Sequence, residues 1–407
     1  MLFTALHREL GRPRGPLTDE MVDVAVAEGV AETDDLDWKR SVPNAKDLST
    51  SDALKDIAAM ANNGGGMIVY GVSEQEKKAT ERFDVGDVDE RYERTFSQVA
   101  ISGIHPPVFN VRFHQLGNSP RALAVVVPPS IDVPHLIYRN DYFGAPIRNN
   151  ADTVWMREPQ LERLYRARLD DRRNAASRLQ DEYDYESQQF EPDLAWIIGV
   201  ARPRLLPPVT EPMSTYDARQ VITEASKLSQ KLTKPQSAHP LASIDSNPRP
   251  GLRRWVVPPR NPAQPWKETW VSVHHDGSVS LRAAVGGART RESVAGPNVA
   301  NSNRIEWFVA DLLALVRTTG TNFGISEYEL RVGIEHSAVG PLSVTSVDSF
   351  GYGEDHVLPI RRFIPVDATV QADVSQENFL AQLRQIALDV LNQAGIDELV
   401  MIIRQPR

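Results

Sequence analysis

Apolar and polar positions along this chain change period several times, and each change marks an element. Leu17-Thr18-Asp19-Glu20 reads as a helix start: Thr18 can cap, and the two acids sit where the helix dipole favours them. Met21, Val22, Val24, Ala25 and Val30 carry a helical face to about Gly29. Leu36-Asp37-Trp38-Lys39 alternates apolar with polar and predicts a short strand. Ser49 or Ser51 caps a second helix over 52–62, with Leu54, Ile57, Ala58 and Ala61 on one face, and Asn63-Gly64-Gly65 ends it. The run 67–72 predicts a buried strand. A helix over 89–101 follows, then strands over 108–114 and 122–128 joined at Gly117-Asn118. Shorter strands over 134–139 and 153–157 lead into a strongly charged helix over 159–186.

From 190 onward the pattern predicts strands over 195–201, 253–257, 327–335 and 398–403, and helices over 216–232, 304–318 and 377–394. The clearest hairpin joins 271–275 to 278–283 at Asp276-Gly277. Four prolines between 234 and 250 make that stretch a loop or linker. The fold class is mixed α/β (α+β). The expected organisation is an arm at 1–16, an α/β domain at 17–170, a charged linker helix at 171–189, and a separate α+β domain at 190–407 with no assignable role.

Composition narrows the chemistry. None of the 407 residues is cysteine, which excludes disulfides and thiolate zinc sites and suits a reducing cytoplasm. No apolar run is long enough to span a membrane, and the N-terminus lacks the pattern of a secretory leader. The net charge is −9, so nucleic acid could not be held by bulk attraction; a local patch would be required. One stretch qualifies: between Arg139 and Arg178 nine arginines face six acids, a local excess of three.

The candidate chemistry lies near the N-terminus. Glu32 and Asp37 are five residues apart and converge if Glu32 ends a helix and Asp37 opens a strand. Glu74, just past the next strand, joins them if the two strands pair. Carboxylates gathered this way suit magnesium or manganese, which take oxygen ligands and can activate water against a phosphodiester. Lys39 projects on the same side as Asp37 and could neutralise the acids or meet a phosphate. The ordinary alternative is a set of surface acids beside a surface lysine. Gly64-Gly65-Gly66 fits neither a Walker loop nor a dinucleotide fingerprint, and reads as a helix-to-strand turn. Arg139, Arg148, Arg157, Arg163, Arg166 and Arg168 could line a phosphate track, with Tyr138, Tyr142, Trp155 and Tyr165 available to stack on bases, or could be a solvated helix beside core aromatics. His274 and His275 are adjacent on a strand, point to opposite faces and make a poor chelate.

These pieces, in this order, resemble the Schlafen-type AlbA-like domain. The resemblance rests on Glu32-x4-Asp37-Trp38-Lys39, Ala58-Ala59-Met60-Ala61-Asn62, Gly65-Gly66-x-Ile68-x-Tyr70-Gly71-Val72, His105-Pro106-Pro107, Val125-Val126-Val127-Pro128, Ala145-Pro146-Ile147-Arg148 and Trp155-Met156-Arg157, and covers about 17–170. It implies a nucleic-acid-directed domain. In the eukaryotic branch it implies a metal-dependent endoribonuclease acting on structured RNA such as tRNA, with the three acids falling on Glu32, Asp37 and Glu74, Mg2+ or Mn2+ as cofactor, and Lys39 assisting. Asp37 is one methylene shorter than the family's glutamate, and Ser73-Glu74 stands where the family has a pair of acids. The alternatives are a non-catalytic DNA-binding transcriptional regulator with a C-terminal sensor or oligomerisation domain, and an ATP-binding module. By the same resemblance, RNA is the favoured partner with DNA possible, a homodimer is expected, and phage defence is the analogous role.

Overall fold

Alternating runs supply the strands and 3.6-period runs the helices, and the computed structural model shows how they assemble. It describes residues 3–139, 142–189, 194–205, 212–235, 239–287, 295–336, 340–347, 353–354 and 358–404. The chain is mixed α/β and divides into two units, Met1–Arg173 and Asn174–Arg407.

The first unit runs α1 (Ala5–Glu9), α2 (Asp19–Glu28), β1 (Leu36–Lys39), α3 (Ala53–Asn62), β2 (Gly66–Tyr70), β3 (Val72–Gln75), β4 (Lys78–Arg82), α4 (Glu90–Gly103), β5 (Ile104–His105), β6 (Arg112–Leu116), β7 (Ala122–Val127), β8 (Leu136–Arg139), β9 (Tyr142–Gly144), β10 (Pro146–Asn149), β11 (Asp152–Trp155) and the start of α5 (Glu158–Ser187). Its central sheet has the order β1-β2-β7-β6. β1 and β2 are parallel, with Asp37 opposite Ile68 and Lys39 opposite Tyr70; the other pairs are antiparallel. Alternation divides the side chains between two cores. Leu36, Trp38, Met67 and Val69 pack with α1 and α2 on one face. Ile68, Tyr70, Leu123 and Val125 pack with α3 and α4 on the other. Asp37 and Lys39 therefore turn toward the α3 side.

Glycine is required at the α3–β2 turn. Gly65 has φ +94, and a Cβ there would lie 2.7 Å from the Pro129 nitrogen. Gly71, at φ +93, bends the chain between β2 and β3, so the single strand expected over 67–72 is two strands in different sheets. Residues 1–16 are also more than an arm: Ala5 and Leu6 of α1 are buried against α2 because both are apolar and face its core.

The second unit continues with the end of α5, β12 (Trp196–Pro203), α6 (Thr215–Leu232), β13 (Arg249–Gly251), β14 (Arg254–Val257), β15 (Thr269–His274), β16 (Val279–Ala284), β17 (Val299–Asn301), α7 (Ser302–Phe323), β18 (Glu327–Glu335), β19 (Ser343–Val347), β20 (Gly353–Glu354), β21 (Val366–Gln371) and α8 (Gln376–Asn392). Seven strands form its main sheet in the order β13-β14-β15-β16-β12-β18-β21. The largest core of the chain packs on it, with α7 buried along most of its length.

The strand expected over 398–403 does not form. The fully buried Glu306 carboxylate of α7 accepts the amides of Val400, Met401 and Ile402 at 2.8–2.9 Å, so these donors bond to a side chain instead of a sheet edge. Glu306→Ala orphans all three. Each charge-assisted bond contributes about 1.5–3 kcal/mol, so urea unfolding should show the second unit destabilised by at least ~3 kcal/mol, with faster hydrogen exchange at 400–402. A loss below ~1 kcal/mol would remove Glu306 as the organiser of this segment.

Candidate functional site

Asp37 reaches the inner side of β1 because Leu36 and Trp38, on either side of it, take the apolar face. Its side chain is 2% exposed. Arg148 of β10, equally buried, donates from Nη1 to Asp37 Oδ1 at 3.0 Å. The second oxygen, Oδ2, forms an ion pair with Lys39 Nζ. Arg148 also reaches Thr153 Oγ1 and the Thr33 carbonyl, both at 3.3 Å. One carboxylate thus lies between two cations in a site largely closed to water.

Two further acids feel this centre. Glu32 is half-buried and its Oε1 accepts the Trp38 amide at 3.1 Å. Burial, then the Asp37 charge, raise its pKa; the Trp38 amide and Lys39 pull it back, and Glu74 adds a smaller upward push. Asp56 of α3 is buried, and burial followed by the Asp37 charge pushes it up to about 6 against the pull of Lys39, Lys55 and Arg148. Burial alone would lower Lys39, but Asp37, Asp56 and Glu32 outweigh it and raise its pKa. Glu74 follows an irregularity in β3 and is exposed; its Oε2 accepts the Lys77 amide at 2.8 Å across the turn to β4. Lys77 in turn pairs with Asp152 of β11 and donates to the Ala151 carbonyl at 3.0 Å.

Glu32, Asp37, Lys39 and Glu74 therefore share one electrostatic neighbourhood, but as placed they do not fit a metal ion. No group of three histidines or acids among the described residues could hold one. The physical reason is visible at Asp37, whose two oxygens already face Arg148 and Lys39. Arg148 is likewise internal: its guanidinium is buried and cannot serve as a surface phosphate contact. Arg157, Arg163 and Arg166 are exposed at and beyond the start of α5, with Arg166 paired to Glu162 at 2.7 Å. Arg168 donates to the Asp132 carbonyl at 2.9 Å. Arg139 lies in β8, and its side chain, like that of Tyr142, falls outside the described residues.

Two residues escaped the sequence reading. Asp56 lies three positions after Ala53 and four before Met60, both buried, so helical spacing already placed it on the inner side. Asn62 was read only as a helix end. Its side chain donates to the carbonyls of His135 (2.9 Å) and Pro146 (2.8 Å) and accepts the His135 amide at 2.6 Å, fixing the approach to β8 and the start of β10.

The buried Asp56 gives a pH signature. Its folded-state pKa, about 6, lies above its ordinary value of 3.8. The stability it contributes is therefore fully present below about 3.8 and is lost as the pH rises through about 6. Asp56→Asn should be more stable than the parent at pH 7.5, by on the order of 2 kcal/mol. The gap should close by pH 4, as read by urea unfolding across that range. A gap independent of pH, or an asparagine variant less stable at pH 7.5, would contradict this assignment.

The Schlafen, AlbA_2 family model matches residues 32–157, less than half of the chain. No curated protein matches. Among solved structures, the N-terminal domain of a RecG-related protein from Nitrosomonas europaea is 18% identical with a TM-score of 0.26, over 33% of this chain and 89% of that one. The DIP2311 protein from Corynebacterium diphtheriae is 16% identical with a TM-score of 0.26, over 42% of this chain and 34% of that one, so this chain spans about a third of its length. At those scores neither likeness bears on function. The match begins at Glu32 and ends at Arg157, enclosing the Asp37–Arg148 pair and the sheet that carries it: this chain contains a Schlafen AlbA_2 domain at residues 32–157.

Proposed function

We propose that the domain at 32–157 binds nucleic acid, RNA ahead of DNA, and that its buried charges organise the binding surface. The observation that carries this reading is the Schlafen AlbA_2 match, the one finding that points to a class of ligand. Exposed Arg157, Arg163 and Arg166 supply phosphate partners that a chain of net charge −9 cannot supply in bulk. The finer reading is a magnesium- or manganese-dependent endoribonuclease using Glu32, Asp37 and Glu74. It requires Asp37 to give up both cations, and we place it second for that reason; its support is the mutual influence of Glu32, Asp37 and Glu74.

Labelled transfer RNA and duplex DNA titrated at two salt concentrations test the first reading. Binding should weaken with salt. Arg157→Glu combined with Arg163→Glu should cost at least roughly tenfold and flatten the salt slope, each lost phosphate contact removing about 0.7–0.9. No complex with either nucleic acid at micromolar protein overturns the reading. Manganese-dependent cutting of the RNA that disappears in Glu32→Ala would establish the nuclease in its place.

A further inference from the structure

We propose that Tyr138 and Phe143 form a stacking platform for the unpaired bases of a single-stranded nucleic acid, an inference that rests on the binding function proposed above. Tyr138 and Phe143 are direct partners across the β8–β9 pair. They are 53% and 62% exposed, and their ring centroids lie 5.6 Å apart at 35°. The His105 ring meets Tyr138 edge-on at 5.2 Å. Trp155 of β11, also 53% exposed, lies over Gly144, where a Cβ would come within 2.7 Å of the indole. Adjacent strand residues face opposite sides, so the indole lies on the other side of β9 from the Phe143 ring, and the tyrosine–phenylalanine pair stands by itself as the platform.

The platform adjoins a buried cluster on its own face of the strands. Leu136, Ala145 and Met156 are buried together, with Ile147, Leu161 and Leu164 packed on them. The Asn62 bonds to His135 and Pro146 fix the segments leading into β8 and β10. Large rings on an ordered scaffold, each more than half exposed, leave apolar area that a ligand can cover. The surroundings say which ligand. Leu161 and Leu164 seat the first turns of α5 against this same cluster, and Arg157, Arg163 and Arg166 are exposed on and just before those turns. Between 157 and 168 four arginines meet two glutamates. Aromatic faces with exposed Arg157 and Arg163 on the segment packed against the same cluster match a base-and-phosphate polymer, whereas an apolar protein partner offers those two arginines no counter-charge. Bases in a duplex have their faces covered by their neighbours, so only unpaired bases can use the platform.

The test uses the full chain, a labelled 12-nucleotide oligouridylate, and a duplex of equal length. The parent should prefer the single strand. Tyr138→Ala and Phe143→Ala should each weaken single-strand binding by roughly five- to a hundredfold while changing duplex binding little. Phe143→Trp should retain it. Unchanged far-UV circular dichroism and thermal midpoint confirm that each variant is folded. Alanine variants that bind the single strand like the parent overturn the proposal. So does an alanine variant whose main effect is to lower the molecular mass in light scattering, which would make the patch a contact between copies. A chain that binds neither nucleic acid fails at the binding function itself, whereas one that binds but ignores these substitutions fails only here.

Discussion

A carboxylate buried at the start of the first strand sets the terms for the N-terminal unit. Strand alternation sends Leu36 and Trp38 into one core and so forces Asp37 toward the other. A charge taken out of water is costly unless it is paired and hydrogen-bonded. Its main partner, Arg148, comes from a hairpin 111 residues along the chain. The requirement to neutralise one acid therefore ties the β10–β11 hairpin to the edge of the central sheet. Once that tie is made, Lys77 with Asp152, and Asn62 with His135 and Pro146, hold neighbouring parts of the same hairpin region. Removing one member of such a buried pair typically costs about 3–5 kcal/mol, because the other charge is left alone.

The same constraint shapes the chemistry. Acids that could hold a divalent cation instead share a neighbourhood with a lysine and an arginine that already supply positive charge. The remaining acid of α3, Asp56, responds by keeping its proton to about pH 6. Polar interactions inside the domain are thus spent on fixing its shape, and the exposed groups are arginines on the first half of α5 and aromatic rings on the β8–β9 and β10–β11 strands.

Local order was legible in the sequence. Alternation at 36–39 gave β1, the 3.6 period over 52–62 gave α3, and Asp276-Gly277 gave the β15–β16 hairpin, because each is decided within a few residues. Parallel pairing of β1 with β2 was legible too, since it needs only their two apolar runs. What the sequence hid was long-range satisfaction of polar groups. Nothing near Arg148 says that it belongs to Asp37, and so it read as a surface contact. Nothing in 398–403, an apolar run with the composition of a strand, says that a glutamate in α7 takes its amides. Gly71 could have been read as a break, but the approach of the Phe83 and Arg121 carbonyls, which leaves no room for a Cβ there, is supplied only by the fold.

Manganese titration followed by thermal unfolding tests the central claim most directly, because it asks whether Asp37 is free to take an ion. If Arg148 and Lys39 hold both of its oxygens, millimolar manganese leaves the unfolding midpoint of the parent chain unchanged relative to a chelator control. A saturable rise in the midpoint that vanishes in Glu32→Ala would show the acids open to a metal, and would contradict the account.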